Sequence, residues 1–146
     1  MTDAPAGPAL QTGRYTLYSR NDTGGAAVEA ALREAGADYD LVAVPRHPTP
    51  EESEAFRRIN PRGQVPVLIH PDGTVITESP AILTHIADSF PAARLIPPPG
   101  SSARAFHDRW LAFFQANVYE GFLREAYPTR YIADPAHAPE VKAAAV

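Results

Sequence analysis

The hydrophobic positions of this chain change period several times, and each change marks an element. Residues 14–19, Arg14-Tyr15-Thr16-Leu17-Tyr18-Ser19, alternate in the period-2 pattern of a strand and are rich in aromatic and β-branched side chains. Between residues 26 and 35, Val28, Ala31, Leu32 and Ala35 share one helical face, and Gly36 is placed to cap that helix. Residues 39–44, Tyr39-Asp40-Leu41-Val42-Ala43-Val44, read as a second strand. Strand, helix and strand at this spacing make a βαβ unit, so the two strands are expected to run parallel.

A polar stretch follows. Residues 51–59 can form a short helix, with Thr49 as N-cap, Pro50 at its first position and Glu52 at its third. Asn60-Pro61-Arg62-Gly63 is a turn by composition. Val65-Pro66-Val67-Leu68-Ile69 and Val75-Ile76-Thr77 then flank Pro71-Asp72-Gly73 as a β-hairpin. Residues 79–90 read as a helix with Ile82, Leu83, Ile86 and Phe90 toward the core, Ser79 as N-cap and Pro80 as first helical residue. The order β-α-β-α-β-β-α predicts an α/β domain of thioredoxin-like arrangement, a mixed four-stranded sheet with helices on both faces. By alternation along the first strand, Tyr18 is expected to point into the core.

After this domain, Pro97-Pro98-Pro99-Gly100 breaks any helix. A long helix is expected over residues 103–125, its wide apolar face built from Phe106, Trp110, Leu111, Phe113 and Phe114 and extended by Val118 and Phe122. Tyr127-Pro128 ends it, and Pro139 opens another helix. The expected organisation is a flexible tail over 1–13, a thioredoxin-like domain over 14–90, a linker over 91–102, and a truncated all-α domain over 103–146.

Composition narrows the chemistry. The chain has 146 residues, 45% of them apolar and 21% charged, as a globular protein with a buried core requires. The net charge is −4, and the densest basic cluster is Arg57, Arg58 and Arg62, so no basic stripe offers itself to nucleic acid. There are no cysteines. That excludes a disulfide framework, a thiolate metal site and a protein-thiol nucleophile, so any sulfur chemistry must use a ligand's thiol. No apolar run approaches the ~20 residues that span a bilayer. Residues 1–13 lack the basic and apolar regions of a secretory signal, which makes cytoplasmic placement the expectation, with no metal and no membrane partner.

Two motifs stand out: Asn60-Pro61-Arg62-Gly63-Gln64-Val65-Pro66-Val67-Leu68 and Glu78-Ser79-Pro80-Ala81-Ile82. Val65-Pro66 is a candidate cis peptide, because proline at a strand start is otherwise awkward. Ser79 at a helix start offers N–H groups to a carboxylate, and Glu78 beside it reads as a partner for a cation. Plain N-capping and a simple hairpin-shaping proline are the structural alternatives.

With these motifs the chain resembles the glutathione S-transferase family in its amino-terminal domain, closely over residues 15–90 and more loosely beyond. The resemblance implies that Val65 and Pro66 hold the cysteinyl part of glutathione like a short antiparallel strand, with Gln64 lining the site. It places the γ-glutamyl carboxylate at Ser79 and its ammonium near Glu78. Arg46 and His47 are candidates for the glycyl carboxylate, although a solvated loop fits both equally. The implied reaction is attack of the glutathione thiolate on a small hydrophobic electrophile, in detoxification, by a homodimer.

The thiol-activating side chain is where this sequence departs from the family. Aligned through Leu32-Arg33-Glu34-Ala35-Gly36, its usual place falls on Gly24 or Gly25. Thr23, Ser19 and the backbone N–H groups of Gly24 and Gly25 are the substitutes at hand, Thr23 with those N–H groups first among them. Arg20 and Asn21 add possible donors, and a flexible glycine turn is the bland alternative. For the electrophile, the resemblance points to a pocket between the domains, with Phe106, Trp110, Phe113, Asn117 and Tyr127 as candidates. Aromatic residues at helical spacing more often pack, so most of these are expected to be core. A glutathione-binding or protein-interaction module without chemistry stays open beside the enzyme. A thiol-disulfide oxidoreductase of the same fold is excluded by the absence of cysteine.

Overall fold

The computed structural model describes residues 13–145; most of the expected tail, 1–12, lies outside the described residues. The chain divides into two compact units between Ile96 and Pro97.

In the first unit the elements are β1 (Tyr15–Ser19), α1 (Gly25–Ala35), β2 (Tyr39–Ala43), α2 (Pro50–Ile59), β3 (Val67–Ile69), β4 (Val75–Thr77) and α3 (Ser79–Ser89). The four strands form one sheet in the order β2-β1-β3-β4. β1 and β2 are parallel, with Leu17 opposite Leu41. β3 is antiparallel to both β1 and β4. This is the mixed sheet that the element order predicts, and it follows from a βαβ crossover joined to a hairpin.

β1 is central, so both of its faces are covered. Tyr15 and Leu17 are fully buried with Val28 and Leu32 of α1, Leu68 of β3, and Ile82 and Ile86 of α3. The other face carries a smaller cluster of Val44, Phe56 and Val67, with Tyr18 packed against it. Tyr18 thus points into this smaller core cluster. Alternation turns it away from the main core, and it lies half-buried against Phe56, ring centroids 5.8 Å apart.

The capping chemistry of α2 matches the sequence reading. Thr49 accepts from the Glu52 N–H at 3.2 Å while the Glu52 carboxylate accepts from the Thr49 N–H at 2.7 Å. Gly36 ends α1 at φ +67°, a conformation that costs glycine little. At α3 the expectation shifts by one residue. Glu78 is the N-cap, with φ +66° and ψ 112°, and Ser79 is already helical.

The second unit contains α4 (Ser102–Phe113), a π-helical stretch over Phe114–Tyr119, α5 (Glu120–Ala126) and α6 (Ala138–Ala143). Ser101 caps α4 by accepting from the Arg104 N–H at 3.1 Å. The single long helix read from the sequence is therefore interrupted by one wider segment. α4, α5 and α6 contribute no buried residue among the described residues. Phe106 is 59% exposed and Phe122 61%, and Trp110 and Phe113 are exposed as well. The expectation that most of the aromatic stripe is core does not hold, because α6 packs on α5 and leaves the aromatic face uncovered.

Candidate functional site

The register of the sheet brings three chain segments to one end of it. Tyr18 pairs with Val67, and Val67 with Thr77. The residues just beyond these pairs are Ser19 with the loop to α1, Val65-Pro66 before β3, and Glu78-Ser79 after β4. The strand directions alone gather these candidates, which are far apart in sequence.

The loop after β1 is closed on itself. Thr23 Oγ1 donates to the Arg20 carbonyl at 2.7 Å and accepts from the Gly25 N–H at 3.3 Å. The Ala26 N–H donates to the Thr23 carbonyl at 3.1 Å. Arg20 Nε donates to the Val44 carbonyl at 3.1 Å, which ties the loop to the end of β2. Gly25 is buried at the first position of α1, and a Cβ there would collide with Ser19 Oγ and approach Ser19 Cβ to 2.9 Å. Of the groups proposed from sequence to act on a thiol, the Thr23 hydroxyl proton and the Gly25 N–H are thus engaged within the loop. Ser19 is buried against Gly25.

Arg46 spans from the segment after β2 to this loop, donating to the Asn21 carbonyl at 3.1 Å and lying 3.9 Å from the Asp22 carboxylate. His47 is exposed. The structure therefore draws Arg46 toward the α1 loop.

The second arm begins at a turn that Asn60 holds from within. Asn60 is buried; its carbonyl accepts from the Gly63 N–H at 2.8 Å and its side-chain oxygen from the Arg62 N–H at 3.2 Å. Its side-chain nitrogen donates to the Gln64 carbonyl at 2.8 Å. Gly63 takes φ +62°, the left-handed conformation the turn requires. Val65-Pro66 is cis, and Gln64 is exposed. The Val65 N–H and C=O make no hydrogen bond to another described residue. They stand free just ahead of β3, as an edge that an extended peptide can pair with.

Glu78 caps α3 with its backbone only; its side chain makes no capping bond. The first-turn N–H groups of Ser79 and Ala81 are thus left for an acceptor, and Pro80 brings none. The Glu78 carboxylate instead meets Arg62 at 3.3 Å. In the sequence Arg62 stands out only as a member of the basic cluster with Arg57 and Arg58. Its pairing is visible only once the Asn60 turn and the β4–α3 junction are brought together.

The arrangement of this arm offers a free backbone edge, helix-start N–H groups and one carboxylate within a short reach. It suits a short peptide with a terminal carboxylate and ammonium. A separate apolar cleft of about 470 Å³ lies on the α2 face between Tyr18, Val44, Pro48 and Phe56, and includes neither Val65 nor Glu78.

The description "Glutathione S-transferase, N-terminal domain" belongs to the family model that matches residues 26–89, from α1 to the end of α3. Over its first unit the chain is similar to the amino-terminal domain of glutathione S-transferases. It is 38% identical over 92 residues to glutathione S-transferase GstA of Escherichia coli O157:H7, a match covering 62% of this chain and 46% of that protein. Among solved structures, a ternary complex of the bacterial transferase BphK is similar with TM-score 0.74 and 32% identity. A sphingomonad glutathione S-transferase complexed with glutathione is similar with TM-score 0.72 and 35% identity. Each of the two matches covers 89% of this chain and 62% of the other. The chain thus spans about half of GstA and under two thirds of either transferase structure.

Phe106, Trp110, Phe113 and Asn117 belong to the second unit. Trp110 meets Phe113 edge-on at 5.5 Å and Phe106 at 6.2 Å, with the Arg109 guanidinium 4.8 Å above the indole. The Asn117 side-chain nitrogen donates to the Phe113 carbonyl at 3.3 Å, across the start of the π-helical stretch. Among the described residues no helix is long and apolar enough to cross a membrane.

Proposed function

We propose that this chain binds glutathione at the Val65-Pro66 and Glu78-Ser79 arm and presents its thiol to a small hydrophobic electrophile. The observation that carries the reading is the unpaired Val65 backbone edge beside the α3 start. The cysteinyl backbone of glutathione would pair with Val65. Its γ-glutamyl carboxylate would sit on the Ser79 and Ala81 N–H groups, and its ammonium on Glu78. Gln64 would flank the peptide, and Arg46 with His47 would face its glycyl end. The sphingomonad relative, solved with glutathione, supports the same ligand.

In the reaction the thiol loses its proton to solvent, its sulfur forms a bond to carbon, and the electrophile's leaving group departs with the electron pair. A free thiol ionises near pH ~8.5, so the site must favour the thiolate. In this reading the start of α1 supplies that field through the Gly24 N–H and the helix dipole, and the Thr23 hydroxyl joins only by releasing the Arg20 carbonyl. Phe106, Trp110, Phe113 and Asn117 are the candidates for contact with the electrophile. Detoxification, a homodimer, the cytoplasm and the division into domains over 14–90 and 103–146 belong to the same reading and rest on resemblance.

Titration calorimetry with glutathione tests binding. Glu78→Ala is expected to abolish measurable binding, and unchanged affinity in that variant would remove the site assignment. The second reading is a binding module without chemistry, favoured by the engaged Thr23 hydroxyl and the glycines at 24 and 25. Binding of glutathione with no conjugation of an activated aryl chloride above the solution rate would select it.

A further inference from the structure

We infer that Arg62 is a specificity residue of the glutathione site, reading the α-carboxylate that sits one carbon from the ammonium read by Glu78. This rests on the function proposed above. The Arg62–Glu78 pair is held at 3.3 Å although both side chains are largely exposed, 67% and 55%. An exposed pair contributes little to folding, so its placement is not explained by stability. The backbone beneath it is nonetheless firmly positioned. Buried Asn60 binds the chain at Arg62, Gly63 and Gln64, and so aims Arg62 across the arm toward the β4–α3 junction.

The contact joins one guanidinium nitrogen to one carboxylate oxygen. The second oxygen of Glu78 and the remaining N–H groups of Arg62 are therefore not consumed by it. Side by side, the two groups present a negative and a positive charge at the spacing of an ion pair. An α-amino acid terminus carries the inverse pattern on a single carbon. Laid across the pair, the ligand's ammonium meets Glu78 and its carboxylate meets Arg62, so all four charges alternate. Arg62 then acts with the α3 N–H groups on the same carboxylate, and a ligand lacking either charge leaves one protein charge without its match. The substrate class this selects is a peptide with a free α-amino acid terminus, such as the γ-glutamyl group.

The experiment is titration calorimetry of the whole chain, wild type and Arg62→Ala, with two ligands: glutathione and 4-aminobutyryl-cysteinyl-glycine, which lacks only the α-carboxylate. Arg62→Ala is expected to weaken glutathione about three- to tenfold, as loss of a partly exposed charged hydrogen bond does, and to leave the analogue unchanged. Arg62→Lys is expected to recover part of the loss. Equal weakening of both ligands would make Arg62 a structural support and overturn the inference. Tighter glutathione binding by Arg62→Ala would overturn it too, because Arg62 would then only compete for Glu78. If wild type binds glutathione but shows no preference over the analogue, the inference falls and the proposed function stands. If wild type binds neither ligand, both fall.

Discussion

The side chain of Ser19 occupies the space that a side chain at Gly25 would need. A Cβ on Gly25 would collide with Ser19 Oγ and lie 2.9 Å from Ser19 Cβ and 3.4 Å from Thr23 Oγ1. The end of β1 and the start of α1 are therefore a matched pair, one residue with a side chain and one without. The position at which the family resemblance leads one to look for a thiol-activating side chain is one where helix and strand approach closely.

Putting a side chain back at that position is therefore expected to cost stability. Gly25→Ser forces Ser19 or the helix start to move, a change of about 1–3 kcal/mol by the usual range for overpacked sites. Ser19→Gly combined with Gly25→Ser relieves the collision and is expected to recover most of the loss. Urea denaturation of the two single variants and the double checks this. Additive losses would show that the two residues do not share the space.

Thr23 carries two separate expectations. Thr23→Val removes the bond to the Arg20 carbonyl and the acceptor of the Gly25 N–H, and about 1 kcal/mol of stability with them. Thr23→Ser keeps both and is expected to behave as wild type. If Thr23 also contacts the glutathione thiol, Thr23→Val slows conjugation at unchanged glutathione affinity. A rate that follows wild type leaves the backbone of the α1 start as the thiolate's support.

The exposed aromatic face of α4 and α5 sets a third expectation. Phe106, Trp110, Phe113, Phe114 and Phe122 present one apolar surface to solvent. Surfaces of this kind bind apolar dyes and other apolar surfaces. The chain should enhance the fluorescence of an anilinonaphthalene sulfonate dye, and Phe114→Asp with Phe122→Asp should reduce that signal without lowering the melting temperature of the first unit. A silent dye would mean that the face is covered in solution.

The fold was legible because its signals are local. The period change at 26–35, the Thr49 and Glu52 capping box, and the proline and glycine turns each depend on a few neighbouring residues. The resemblance rested on one contiguous motif around Val65-Pro66 and a second at Glu78-Ser79. What escaped was relational. Arg62 and Glu78 are 16 residues apart, and only the Asn60 turn and the β3–β4 hairpin make them neighbours. Ser19 against Gly25 is a steric match that no residue type announces. Alternation put Tyr18 toward a core but not toward which one, because a central strand has both faces covered. The aromatic stripe was read as core because helical spacing reports a face and not what covers it.

One further cluster was invisible in the sequence, and it gives the stability of the first unit a pH dependence. At the end of the sheet away from Val65, the Tyr15 hydroxyl lies 3.5 Å from His85 Nε2, and the His70 and His85 rings are 5.3 Å apart. Asp72 closes the group from the β3–β4 turn at 2.9 Å from His70 Nδ1, while Asp88 and Ser89 face it from α3. Burial holds His85 below its ordinary value of 6.5, and the neighbouring His70 lowers it further against the opposing pull of Asp72 and Asp88. The Thr74 backbone N–H, then the Thr74 side chain and His70, hold Asp72 at about 2, below its ordinary 3.8. A depressed histidine binds protons more readily in the unfolded chain, so its contribution is complete above pH 6.5 and is lost as pH falls through the folded value. Asp72 acts in the same direction, with its share lost between 3.8 and about 2. The urea midpoint is therefore expected to fall between pH 7.5 and pH 5.5, a range in which Asp72 stays ionised while the histidine of the unfolded chain takes up a proton that folded His85 resists. His85→Phe keeps an aromatic ring beside Tyr15 and removes the titration, so it should flatten that slope. A midpoint that is the same at both pH values in the wild-type chain, or a slope that survives in His85→Phe, would show that His85 does not govern the acid limb.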